Sequence, residues 1–160
     1  MNKTFQVVGL YNPVKRRGKA VVQPRIKPIR LPLDVEPTAK GRPRTAYRNG
    51  SVRTYTPEKT LVAQELIMAL LQPYKDKGFP PHIPVKLTCV FYRTKSKWLP
   101  TKEKFPFRKP DLDNFLKLIM DSLNGILVAD DAQITSIVMC KRWTDTDRGY
   151  IWLELEEDTE

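Results

Sequence analysis

The sequence predicts a domain of mixed α/β (α+β) class, with about four strands and two main helices. Three observations carry this. Four segments, 29–36, 85–92, 134–143 and 150–156, alternate apolar with other residues at the period of a half-buried strand. Two more, from 58 to about 71 and from about 114 to 124, repeat apolar residues near helical spacing. A chain of 160 residues also buries roughly two-thirds of its unfolded surface, enough for one core without disulfides or structural metal.

In chain order, residues 1–27 read as a basic N-terminal appendage, with an alternating piece at 4–10 and a Lys/Arg/Pro-rich run around Lys15, Arg16, Arg17 and Lys19; residues 28–160 make the domain. Strand 29–36 leads into a segment where Gly41 and two prolines prevent regular structure, leaving Lys40, Arg42 and Arg44 on a loop. Thr56, Pro57 and Glu58 then supply an N-cap, a proline suited to the first helical position and a carboxylate for the positive end of the helix dipole. The helix they start packs Leu61, Val62, Leu66, Ile67, Ala69 and Leu70, and Pro73 ends it. His82, the single histidine, sits in a Pro-rich connection, and without a second histidine it makes neither a metal site nor a nucleophile triad. After strand 85–92, seven lysines and arginines between 93 and 109, Arg108 and Lys109 among them, stand against one acid, Glu103, interleaved with Trp98, Phe105 and Phe107. Such a loop offers cations for phosphates and rings for exposed bases; the rings serve equally well as satellite core. The second helix carries the stripe Phe115, Leu116, Ile119 and Leu123, with Gly125 just past its end. The turn 145–149 between the last two strands predicts an antiparallel hairpin.

Charge is distributed unevenly. Lys and Arg number 28 against 18 acids, a net +10; up to Arg53 there are 13 basic and 2 acidic residues, whereas the remainder holds 15 and 16. A basic N-terminal third suits a polyanion, because neutralising each phosphate releases counterions. A tail that merely keeps the protein soluble is the plainer alternative. Cys89 and Cys140 lie in strand-like runs without a C-x-x-C pair and read as buried, reduced thiols. No run of about 20 apolar residues exists, and the first residues lack the apolar stretch of a signal peptide. A soluble, intracellular protein without membrane contact is the expectation.

The sharpest signal is KPDLDNFLKLIMDSLNG, followed by DDAQI. A chain still extended at Asp111 and entering a helix sets Asp111 and Asp113 on one side, two residues apart, with Asp113 as N-cap. Lys117 lies one turn beyond Asp113 on the same face, and Asp121 one turn beyond that. Mg²⁺ takes oxygen ligands, keeps several waters and needs only two or three carboxylates when substrate phosphate completes its shell. Ions so held activate water and stabilise the leaving oxygen in phosphodiester cleavage, and a nearby lysine stabilises the developing charge. Asp130 and Asp131 supply a further element; neighbours at a strand start face opposite ways, so one of them reaches the site. The same residues also fit a helix cap, a solvated acid, an exposed i,i+4 pair and a polar turn.

The string Lys109-Pro110-Asp111-Leu112-Asp113-Asn114, with Lys117, Asp121, Leu123-Asn124-Gly125 and Asp130-Asp131-Ala132-Gln133-Ile134, resembles the core signature of the RusA Holliday junction resolvases of bacteria and their phages. Residues 40–44 and Tyr55-Thr56-Pro57 resemble its N-terminal features more weakly, and residues 1–27 depart from it. The resemblance implies a crossover junction endodeoxyribonuclease with Asp111, Asp113 and Asp131 as metal-binding catalytic acids and Lys117 as the catalytic lysine. It implies a small mixed β-sheet of about four strands with two main helices packed on it, Mg²⁺, with Mn²⁺ as a substitute, no small-molecule cofactor, and a homodimer that nicks a four-way junction at paired symmetric positions in recombination and repair. It places the protein in the bacterial cytoplasm, with a phage gene as one source. Asn114 is assigned to bracing the loop, Asp121 to holding Lys117 or capping a neighbouring loop, and Asp130 to support. Lys40, Arg42, Arg44, Arg108 and Lys109 are the phosphate-binding candidates. Two competing classes are a non-catalytic nucleic-acid-binding protein and a metal-dependent nuclease of flaps, linear DNA or RNA.

Overall fold

The computed structural model describes residues 26–48 and 50–159; the alternating piece at 4–10 and the basic run of the appendage lie outside the described residues. Six strands and two α-helices follow in the order β1 (Ile29–Leu33), β2 (Arg44–Arg48), β3 (Ser51–Tyr55), α1 (Glu58–Leu71), β4 (Val85–Thr94), α2 (Leu112–Leu123), β5 (Ile134–Thr144) and β6 (Tyr150–Glu157). The main sheet is mixed and four-stranded, in the order β1-β6-β4-β5. Its β1–β6 and β6–β4 pairs are antiparallel, while β4–β5 is parallel. Parallel neighbours need a crossover, and α2 supplies it.

Alternation decides the inner face. Val85, Leu87, Cys89 and Phe91 of β4, Ile151, Leu153 and Leu155 of β6, and Ile29, Leu31 and Leu33 of β1 are all buried. The helices cover this face: Phe115, Leu118, Ile119 and Leu123 of α2 join Ile67 and Leu71 of α1 in the same core. Phe115 stacks on Phe91 with ring centroids 5.1 Å apart. Burial pushes the Cys89 thiol up to about 12, helped by neighbouring Cys140, so it stays protonated as an apolar filler. Both cysteines are free, Cys89 buried and Cys140 only half-buried.

Several expectations are corrected. The hairpin predicted from the 145–149 turn does not form, because β6 crosses to the far side of β4. Its buried Ile151, Leu153 and Leu155 suit an interior strand, whereas β5 exposes Ile137 and Val138 at the sheet edge. Helix α1 begins at Glu58 with Pro57, not Thr56, as N-cap, and Pro73 ends the α-helix without breaking the chain direction, since Gln72–Lys77 continues as a 3-10 turn. Its buried face is Thr60, Ala63, Ile67 and Leu71; Leu61, Val62, Leu66 and Leu70 of the predicted stripe are exposed. A helix apolar nearly all round does not announce which face meets the core. Arg44, expected on a loop, instead opens a second, two-stranded antiparallel sheet, β2–β3, over residues to which the sequence reading gave no element. Its signal was Asn49-Gly50 between strand-like runs, and Gly50 takes the positive φ of 74° that such a turn requires.

Candidate active site

Helix α2 starts at Leu112, two residues earlier than its periodicity suggests, and Asp111, extended at φ −71° and ψ 149°, is its N-cap. Asp113 therefore sits in the first turn, where backbone N–H groups and the helix dipole favour a negative charge. One turn on, the Lys117 ammonium donates to the Asp113 carboxylate at 2.8 Å. That bond, more than any other influence, holds the Asp113 carboxyl below the usual carboxylate range. The carboxylate of Asp111 is exposed, and no described residue donates a hydrogen bond to it.

Strand ends hold this helix start in place. Lys141, on β5, donates to the carbonyls of Arg108 at 3.0 Å and Pro110 at 2.9 Å. Arg93, at the end of β4, donates to the Lys109 carbonyl at 3.4 Å, and its guanidinium lies 5.9 Å from the Phe115 ring centre. Burial and the neighbouring Arg93 lower the Lys141 pKa, and Asp111 opposes them. The Lys109–Pro110 peptide bond is cis. Sequence reading passed over Lys141; its only signal is a lysine within a half-buried strand.

The Asn114 backbone carbonyl accepts from Lys40 N–H at 2.8 Å, which ties the loop at Lys40 to the start of α2. Lys40, counted among the phosphate binders, pairs its ammonium with Asp121, so Asp121 caps this loop and leaves Lys117 to Asp113. Arg42 and Arg44 are exposed. Arg108 lies 5.7 Å from the Phe107 ring centre and donates to Glu103 at 3.3 Å, while Lys109 is exposed.

Asp130 and Asp131 lie not on a strand but at a 3-10 turn, Asp131–Gln133, leading into β5. Asp130 caps it: its carboxylate accepts from Ala132 N–H at 2.8 Å, and Gln133 closes a capping box by accepting from Asp130 N–H at 3.2 Å. Gln133 also donates to the carbonyls of Pro80 at 2.8 Å and Ile83 at 3.1 Å, which pins this turn to the start of β4. The half-buried Asp131 carboxylate receives no hydrogen bond from a described residue.

These acids occupy two places. Asp111 and Asp113 stand where β4 and β5 end, Asp130 and Asp131 where they begin. Ile134 and Lys141 are seven residues apart on β5, roughly 23 Å at about 3.3 Å per residue. Accordingly no three His, Cys, Asp or Glu side chains among the described residues are gathered closely enough to hold a metal ion. The donors at both places are carboxylate oxygens, which suit Mg²⁺ or Mn²⁺ and not a soft metal. Neither cysteine joins them, since both lie within β4 and β5.

The chain is 29% identical over 129 residues to an uncharacterized protein of Bacillus subtilis (strain 168), YqaN, with 75% of this chain and 91% of that protein covered. A family model described as Endodeoxyribonuclease RusA matches residues 34–154. Since that span runs from the end of β1 through both acid-bearing turns and into β6, the chain belongs to the RusA family of endodeoxyribonucleases.

Proposed function

We propose that the protein is a Mg²⁺-dependent, structure-selective DNA endonuclease that resolves four-way junctions by paired symmetric cleavage, acting as a homodimer with composite sites. The observation that carries the reading is the separation of the acids: Asp111 and Asp113 with Lys117 at one end of β5, Asp131 at the other, with the carboxylates of Asp111 and Asp131 accepting no hydrogen bond from a described residue. β5 is an edge strand of 11 residues exposing Ile137 and Val138, and such an edge invites pairing with another chain. Antiparallel pairing with the same strand of a second copy, about a two-fold axis through its middle, sets the Asp131 end of one protomer beside the Asp111 end of the other. Each composite site then unites Asp111, Asp113 and Lys117 of one copy with Asp131 of its partner.

In that site Asp111, Asp113 and Asp131 would hold the metal, which supplies the charge that activates water and stabilises the leaving oxygen. Lys117 neutralises Asp113 and stands ready to stabilise charge developing on the scissile phosphate. Lys141 and Arg93 fix the segment before Asp111, so the carboxylate is presented from a rigid strand end. Asp130 serves as the cap of the turn that aims Asp131. A two-fold dimer presents two such sites to two symmetric strands, as a four-way junction requires.

The test compares cleavage of a four-way junction, linear duplex, flap and single-stranded DNA in Mg²⁺, with Asp111→Asn alongside. Preferential cutting of the junction, lost in Asp111→Asn while junction binding persists, is the expected result. Equal rates on all substrates defeat the junction reading, and an active Asp111→Asn defeats the site.

A further inference from the structure

We infer that the β2–β3 hairpin is an arm that lays its arginine-bearing face along a duplex arm of the DNA, several base pairs from the cleavage site. This rests on the reading of the chain as a nuclease of branched DNA and adds a second contact surface to it. Among the described residues nothing covers the hairpin. Every residue of β3, and residues 44–47 of β2, are exposed on both faces, and the extensive contacts of the two strands are with each other. An isolated two-stranded sheet is marginal in water, yet this one exposes Tyr47, Val52 and Tyr55.

Charge identifies the partner. Between Glu36 and Glu58 the chain carries five basic residues and no acid. Register sorts the side chains: Arg44 opposes Tyr55 and Ala46 opposes Arg53 on one face, while Thr45 opposes Thr54 and Tyr47 opposes Val52 on the other. Arg44 and Arg53 are thus diagonal neighbours, within about 7–8 Å of one another, with Tyr55 on the same face. Guanidinium and phenol groups are among the usual donors to DNA phosphates. A two-stranded ribbon is also the width that a duplex major groove admits, which favours duplex over a single strand.

Placement gives the reach. The Lys40 N–H bond to Asn114, the residue after Asp113, and the 3.0 Å bond from Gly41 N–H to the Thr60 hydroxyl tie the hairpin's base between the starts of α2 and α1. Strands of five residues extend about 17 Å, or about five base pairs of duplex.

The test is hydroxyl-radical footprinting of full-length Asp111→Asn protein on a four-way junction, with its binding measured across a salt series. Two further variants are made on that background: the hairpin shortened by replacing residues 46–53 with Asn-Gly, and the pair Arg44→Gln with Arg53→Gln. The shortened hairpin should lose about five base pairs of protection on each of two symmetry-related arms, and the double variant should lower the slope of log affinity against log salt by about two for each hairpin, about four for the dimer. A footprint and slope unchanged in both variants overturns the inference. So does a loss confined to single-stranded probes. Because cleavage is silent in this background, the footprint reports on the hairpin whether or not the parent enzyme prefers to cut junctions.

Discussion

Asp113 and Lys117 form a local pair, and locality makes its electrostatics testable apart from catalysis. Both side chains are more than half exposed, so the pair contributes little to stability; its role is to set the charge at the mouth of α2. The Asp113 carboxyl is held below its ordinary 3.8, so the contribution of the pair is present above that value and lost only as pH falls through the depressed one. Across neutral pH the carboxylate therefore stays ionised and the lysine stays held. Replacing Lys117 with Met should move the Asp113 titration of the metal-free protein upward, toward the ordinary value, as followed by carboxyl NMR; an unmoved titration would show that the ammonium is not its cause. Spacing of four on a helix made this pair legible in the sequence. The choice between Asp130 and Asp131 was not legible in the same way. Asp130 closes a capping box with Gln133, and a 3-10 turn of three residues leaves no periodicity to read.

Helix α2 carries the pair, and its attachment to the sheet is what makes the site rigid. Phe115 lies two residues past Asp113, is 1% exposed, stacks on Phe91 and sits under Arg93. Truncation to Ala removes a ring that no neighbour can replace, at a cost of about 3–5 kcal/mol, while Leu refills part of the space. Urea unfolding should thus rank wild type above Phe115→Leu above Phe115→Ala; a loss under about 1 kcal/mol for Ala would mean that α2 is not anchored there. Of the expected stripe Phe115, Leu116, Ile119 and Leu123, all but the half-buried Leu116 lie in the core, and the stripe was visible from spacing because α2 has one apolar face and one polar face. In α1 the apolar residues run nearly all round, and of the expected stripe only Ile67 turned out to be buried. The hairpin β2–β3 shows the opposite case: Asn49-Gly50 announced it in the sequence, but neither strand has a buried face, so no alternation drew attention to it. The exchange of β6 across β4 had no local signal at all, since a five-residue turn fits either neighbour.

At the scale of the molecule, the two-place arrangement of the acids follows from topology. α2 runs against β5, so residues before the helix lie at one end of the sheet and residues after it at the other. Sequence proximity of KPDLDN to DDAQI suggested a single cluster, yet a helix of 12 residues, about 18 Å long, intervenes. A composite site across a two-fold dimer predicts a result that a site within one protomer cannot give. Asp111→Asn and Asp131→Asn are each inactive as homodimers under either arrangement. In a mixed dimer with the composite arrangement, one site collects both substitutions and the other collects none. Co-expressed or co-refolded chains should therefore regain cleavage on the order of a quarter of the wild-type site count, since about half the dimers are mixed and each holds one intact site. The product should be a single nick in the junction, not two symmetric cuts. With sites confined to single protomers, every site in the mixture keeps one substitution and no activity returns. Val138→Asp supplies the control: Val138 is exposed on the β5 edge, and a carboxylate there meets its own copy across the two-fold axis, where like charges repel, so light scattering should report a monomer and the mixture should stay inactive. Restored nicking without dimers, or dimers without restored nicking, would each remove the β5-paired composite site from consideration.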